Sequence, residues 1–205
     1  MEITDIQKTK KGRYAVFADG EFLFSVHPDS YYKTQLRVGL AMTVEELEQL
    51  RVDDQLRSAK EAAMNALSRA AQSSGMLRQK LSRYYDSDAV EGAIARMTEL
   101  GLVDDFDYAR RMAADCVNLR GYSQLRLRQY LRQKQLPAEA IEAALTQFGD
   151  DNEIDPIVAL LLKKYRNKIT DPEGLRKSIA ALQRRGFGFG DIRAALQKIE
   201  EEQLL

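Results

Sequence analysis

Leu81, Leu131 and Leu182 stand 50 and 51 residues apart, and the apolar residues that follow them keep nearly the same spacing. Val90, Ile94 and Met97 are matched by Ile141, Leu145 and Phe148, then by Ile192, Leu196 and Ile199, each step being 51 residues. Within every set the spacing is i, i+4, i+7, which is one face of a helix. The three leucines each sit in a basic helix, reading LRQKLSRY, LRLRQYLRQK and LRKSIAALQRR. A less regular helical segment precedes each one: Ala59 to Ala70, Phe106 to Leu119 and Ile157 to Tyr165. The unit is therefore three helices, repeated three times. Each unit is small, so stacked neighbours are expected to complete its core, as in other repeat proteins. The period exceeds the roughly 33 to 47 residues of the common helical repeats.

The repeat decides a local ambiguity. Arg185-Gly186-Phe187-Gly188-Phe189 begins like an RNA-binding strand motif, basic-Gly-aromatic-Gly-Phe. In the repeat, Arg185-Gly186-Phe187 falls where Lys134-Gln135-Leu136 stands in the preceding unit. A helix on each side makes the stretch a helix–helix turn. Gly186 is then the left-handed residue that ends the second helix, and Phe187, like Leu136, folds back onto the core.

The first 26 residues follow another pattern. Tyr14 to Ala18 and Phe22 to Val26 are rich in aromatic and β-branched residues, and Asp19-Gly20 between them is a two-residue hairpin signal. Residues 2–8 supply a third strand. Thr43 and Glu46 form a capping box that opens the helical part of the chain. Asp155-Pro156 and Asp171-Pro172 read as N-cap followed by first helical residue, Pro137 marks another helix start, and Asp104-Asp105 caps the helix from Phe106. The fold class is mainly α: three tandem three-helix repeats in an elongated array behind a small β-meander. The expected divisions are 1–42 (meander with a short helix), 43–104 (linker helix and first repeat), 105–150 (second repeat) and 151–205 (third repeat).

Charge is balanced in total, 31 basic against 31 acidic residues, but segregated along the chain. Residues 106–136 carry seven Arg or Lys against two Asp, and residues 163–185 carry eight against two acids. Residues 138–155 hold six acids and no base, and Glu200-Glu201-Glu202 lies near the last residue. Matching basic blocks in successive repeats point to a surface that meets phosphate or an acidic protein. Sequence-specific duplex reading by the third helices is disfavoured, because DAVEGAIARMTEL and PAEAIEAALTQF are net acidic. The chain offers no phosphate loop and no cysteine pair, and its one histidine, His27, lies at a strand end. Those features speak against an enzyme and call for no cofactor or metal. Cys116 reads as a core residue in a reducing compartment. With no apolar run of membrane-spanning length and no secretory leader, a cytoplasmic location without membrane contact is expected. No heptad seam demands a dimer, so a monomer is expected.

Three pieces in order resemble the RecX family of recombination regulators: ELGLVDDFDYARR from Glu99, RGYSQLRLRQYLRQKQL from Arg120 and RRGFGFGDI from Arg184. The resemblance covers essentially the whole chain. Gln135 departs from it, standing where the family usually has Gly, and the first repeat lacks the basic-Gly turn at RYYDSD. The resemblance implies a protein that binds the RecA recombinase along its filament on single-stranded DNA. It further implies restraint of filament growth, ATP hydrolysis and strand exchange, and so a part in DNA repair and the SOS response. Charge clustering assigns the contact with RecA or DNA to Arg120, Arg126, Arg128, Arg132 and Lys134 in the second unit. In the third it adds Lys163, Lys164, Arg166, Arg184 and Arg185. The alternative is a stand-alone binder of single-stranded nucleic acid using the same stripe, with direct DNA contact even without RecA.

Overall fold

The computed structural model describes residues 1–148 and 153–202. The expected division between residues 150 and 151, with Asp150 and Asp151, lies outside them. The described residues form two compact units, one of residues 1–71 and 76–103, the other of residues 72–75, 104–148 and 153–202.

The first unit opens with a meander of β1 (Ile3–Lys8), β2 (Tyr14–Ala18) and β3 (Glu21–Val26), antiparallel in the order β1-β2-β3. Asp19 and Gly20 both have positive φ, 50° and 86°, as a primed two-residue turn requires. A short helix, α1 (Pro28–Lys33), follows, and then α2 (Val44–Leu67). The Thr43 capping box is formed: Thr43 Oγ1 accepts from Glu46 N–H at 3.1 Å, and Glu46 Oε2 accepts from Thr43 N–H at 2.8 Å. The expected linker helix and the first helix of repeat one are a single 24-residue helix. With no proline or glycine between Val44 and Leu67, nothing in the sequence breaks it.

Sheet and helix are joined through a buried charge. Asp54 of α2 is only 3% exposed; it pairs with the Arg13 guanidinium and accepts the His27 backbone N–H at 2.7 Å. Arg13 also donates to Ser58 Oγ at 2.9 Å and to the Ser25 carbonyl at 2.6 Å, so the buried carboxylate has its compensating partners. Further along, Ala59, Ala63 and Ala66 of α2 pack with Leu77 and Leu81 of α3 (Ser74–Leu81) and with Val90, Ile94 and Met97 of α4 (Ser87–Glu99).

The second unit holds the other two repeats. Repeat two is α5 (Asp105–Asp115), a π-helical turn (Cys116–Arg120), α6 (Gln124–Gln133), α7 (Ala138–Leu145) and a short 3-10 turn (Thr146–Phe148). Repeat three is α8 (Ile154–Lys164), α9 (Pro172–Arg184) and α10 (Phe189–Glu201). The helix expected from Phe106 to Leu119 thus changes winding at Cys116 and ends at Gly121, whose φ is 65°. Cys116 is buried in the repeat-two core, and burial pushes its thiol up from the ordinary value.

The caps divide. Asp104 accepts from Asp107 N–H, and Asp171 accepts from the N–H groups of Glu173 and Gly174, with Pro172 at the first helical position. Asp155 does not cap. Helix α8 begins at Ile154, which places Asp155 and Pro156 inside the first turn, where a missing N–H costs nothing, and Asp155 pairs with Lys198 at 2.8 Å. Asp105 accepts instead from Ser74, from its N–H at 2.8 Å and its hydroxyl at 2.5 Å.

One expectation is corrected. Each repeat closes its own core rather than sharing one with its neighbours: Leu127, Leu131 and Ile141 belong to the second cluster, and Leu161, Leu182 and Ile192 to a separate third. A tight three-helix unit with small residues such as Ala109, Ala113 and Ala140 at helix contacts brings its apolar faces close enough to exclude water by itself.

Candidate functional site

Between α9 and α10, Gly186 has φ 94° and donates to the Gln183 carbonyl, while Phe187 is buried and donates to the Leu182 carbonyl. The stretch is a helix–helix turn. It also meets repeat two: the Ser123 N–H donates to the Arg185 carbonyl at 3.0 Å, and a Cβ placed on Gly186 would lie 2.6 Å from both Arg126 Cβ and Ser123 Oγ. Glycine is needed there for its backbone and for its lack of a side chain.

The Arg126 stem held by Gly186 leads into a cationic and aromatic cluster. Tyr122, Arg126, Tyr130 and Lys134 recur every four residues and so share one face of α6 and its flanks. The Tyr122 and Tyr130 rings meet edge to face at 6.1 Å. Arg120, from the π-helical turn, lies 5.8 Å from the Tyr122 centroid and 5.2 Å from that of Tyr130. Arg126 lies 5.7 Å from Tyr122, and Lys134 5.3 Å from Tyr130. Hydrogen bonding to the Tyr122 hydroxyl pushes the Arg120 guanidinium further up. Buried Arg126 Nε has no hydrogen-bond partner among the described residues. A buried donor left unpaired costs about 1–3 kcal/mol of stability.

The sequence-predicted residues therefore separate into groups. Arg120, Arg126 and Lys134 converge on the two tyrosines. Arg128 turns to Glu142 of α7 and forms an ion pair. Arg132 is exposed on α6 and carries no ion pair among the described residues; the same holds for Lys163, Lys164, Arg166 and Arg184 in repeat three. Arg184 lines a depression of about 480 Å³ with Tyr165, Lys168 and Lys177. Arg185 is held inside the fold. Its Nε donates to the Arg120 carbonyl at 3.0 Å, and its Nη1 donates to the Tyr165 hydroxyl at 2.8 Å and the Ala181 carbonyl at 3.0 Å. Charge clustering did not single out Tyr122 and Tyr130, although their four-residue alternation with Arg126 and Lys134 is visible in the sequence.

Four family models match the chain in order: the regulatory protein RecX N-terminal domain over residues 1–43, and the first, second and third RecX three-helix domains over 59–97, 104–145 and 151–196. The chain belongs to the RecX family. It is 29% identical to the regulatory protein RecX of Clostridioides difficile (strain 630), across 96% of this chain and 95% of that one. The RecX of Lacticaseibacillus paracasei (strain ATCC 334) is 25% identical over 98% of this chain and 85% of its own. A crystal structure of regulatory protein RecX superposes with a TM-score of 0.61 at 24% identity, covering 96% of this chain and 98% of that one, which speaks for the fold. RecX from Lactobacillus salivarius gives a TM-score of 0.60 at 22% identity over 72% of this chain and 98% of that one. Among the described residues no helix is long and apolar enough to cross a membrane.

Proposed function

We propose that this RecX-family chain binds the RecA recombinase and its filament on single-stranded DNA, and that it restrains filament growth and with it ATP hydrolysis and strand exchange. The observation that carries the reading is the ordered match of all four RecX domains along the chain. The Arg120, Arg126 and Lys134 cluster supports it by gathering three cations around two tyrosines, a charge suited to carboxylate or phosphate. The contact assigned to Arg128, Arg132, Lys163, Lys164, Arg166 and Arg184 remains part of the proposal as a supporting rim, where exposed charges act mainly on encounter. Arg185 acts by holding repeat three against Arg120.

Binding of a preformed RecA filament by wild type and by the Arg126→Glu and Arg132→Glu variants tests the assignment. Reversal at Arg126 should weaken binding by about 2 kcal/mol or more, and reversal at Arg132 by less than about 1 kcal/mol, with helix content unchanged in both. Equal affinity for wild type and the Arg126 variant would remove the cluster from the interface.

A second reading, a stand-alone binder of single strands, gains support from Tyr122 and Tyr130, since aromatic rings among cations are the ingredients of base stacking. Under that reading the Arg126 variant loses affinity for an oligonucleotide as much as for the filament.

A further inference from the structure

The N-terminal sheet carries a second aromatic and cationic surface, unrelated to the repeats. The β1–β2 connection reads Lys8-Thr9-Lys10-Lys11-Gly12-Arg13-Tyr14, four cations in seven residues with no acid. Arg13 is turned inward to Asp54, whereas Lys8, Lys10 and Lys11 are exposed and carry no ion pair among the described residues. The turn that presents them is closed by hydrogen bonds from Thr9 N–H to the Arg13 carbonyl, 2.8 Å, and from Gly12 N–H to the Thr9 carbonyl, 2.9 Å.

Lys8 is the cross-strand partner of Tyr14, which places it on the same side of the sheet. The Tyr14 ring stacks on Tyr31 of α1 at 4.0 Å, and Tyr32 meets both edge-on, at 6.2 and 5.1 Å. The hydroxyls of Tyr14 and Tyr32 lie 3.2 Å apart. Tyr14 and Tyr31 pack on the sheet core, but Tyr32 is 65% exposed, and Lys33 beside it is exposed as well. The nearby acids are engaged: Asp29 with Arg57, and Asp5 with the Gln7 amide. A large ring fixed by two aromatic neighbours yet left in water, among lysines without counter-ions, fits a ligand that has both a flat face and negative charge. An acidic peptide would answer the lysines and leave the ring unused; a nucleotide strand answers both.

We propose that this surface is a binding site for single-stranded nucleic acid, with a base stacked on Tyr32 and neighbouring phosphates against Lys8, Lys10, Lys11 and Lys33. It shares no residue with the Arg126 cluster and is independent of any recombinase, so its failure would leave the RecA reading standing.

The test uses the full chain and a labelled oligothymidine of about 12 nucleotides, within the roughly 4–16 that single-strand sites span. Tyr32→Ala should weaken binding roughly tenfold, and Tyr32→Phe should restore it, since the ring alone stacks. Replacing Lys8, Lys10 and Lys11 together by Ala should reduce the slope of log affinity against log salt by about 2. The sequence has no Trp, so a Tyr32→Trp variant provides a lone reporter whose emission a stacked base quenches. Absence of binding by wild type at low salt overturns the proposal, as does unchanged affinity in the Tyr32→Ala and triple-lysine variants. Competition by polyglutamate equal to that by oligothymidine, with no quenching in the Tyr32→Trp variant, assigns the surface to an acidic protein instead.

Discussion

Two joints in the second unit use equivalent positions of the repeat but place the close-packed glycine on opposite partners. In the first, Ser73 Oγ donates to the Lys134 carbonyl, and Gly75 lies so close to Gln135 that a Cβ there would stand 2.2 Å from its carbonyl oxygen. In the second, 50 residues on from Ser73, the Ser123 N–H donates to the Arg185 carbonyl, and the glycine is on the other partner, Gly186. Both joints bring a buried serine and a glycine to the end of a second helix. The second also has a side-chain bolt, with Arg185 tying α9 to the π-helical turn and to Tyr165. The close approach is what the repeat preserves, and either side can supply the missing Cβ.

That difference can be broken at several points. Gly186→Ala combines a left-handed backbone with contact against Ser123 and Arg126, and should lower stability by about 3 kcal/mol in denaturant melts. Gly75→Ala has no left-handed backbone to strain, so crowding alone should cost about 2 kcal/mol, read in the same melts. A larger loss at Gly75 than at Gly186 would reverse the comparison. Arg185→Met removes three hydrogen bonds and the cation over Tyr165, and should cost about 1–3 kcal/mol, while Arg184→Met next to it stays within about 0.5 kcal/mol. Equal effects at the two arginines would show that Arg185 is no bolt. Gln135→Gly goes the other way: Gln135 has φ 53°, left-handed like Gly186 in the next repeat, so glycine should raise stability by about 1 kcal/mol in the same melts.

Much of the fold was legible because period and burial coincide. Val90, Ile94, Met97, Ile141 and Ile192 are buried as their spacing predicts, and the Asp-Gly hairpin and the Thr43 box form as their chemistry predicts. Asp155 was misread because Pro is accepted anywhere in a first turn, so the pair does not mark the boundary to the residue. The clustering of side chains was less legible than the fold. Charge density drew attention to Arg120, Arg126 and Lys134, which the fold brings together, but counting charges cannot separate a cation aimed outward from one that is paired. Arg128 meets Glu142 14 residues away, and Arg185 meets the Arg120 carbonyl 65 residues away, contacts that only the packed repeats create. The π-helical turn at Cys116–Arg120, which lets Arg120 reach the tyrosines, left no mark in the sequence that helix periodicity would detect.

Whether this chain acts on a recombinase filament, as proposed, is decided by RecA ATP hydrolysis on single-stranded DNA, titrated with this protein at two salt concentrations. Inhibition well below one copy per RecA, persisting at the higher salt and weakened by Arg126→Glu, is the predicted result. No inhibition at either salt, or inhibition only when the protein saturates the DNA and lost at the higher salt, would contradict it.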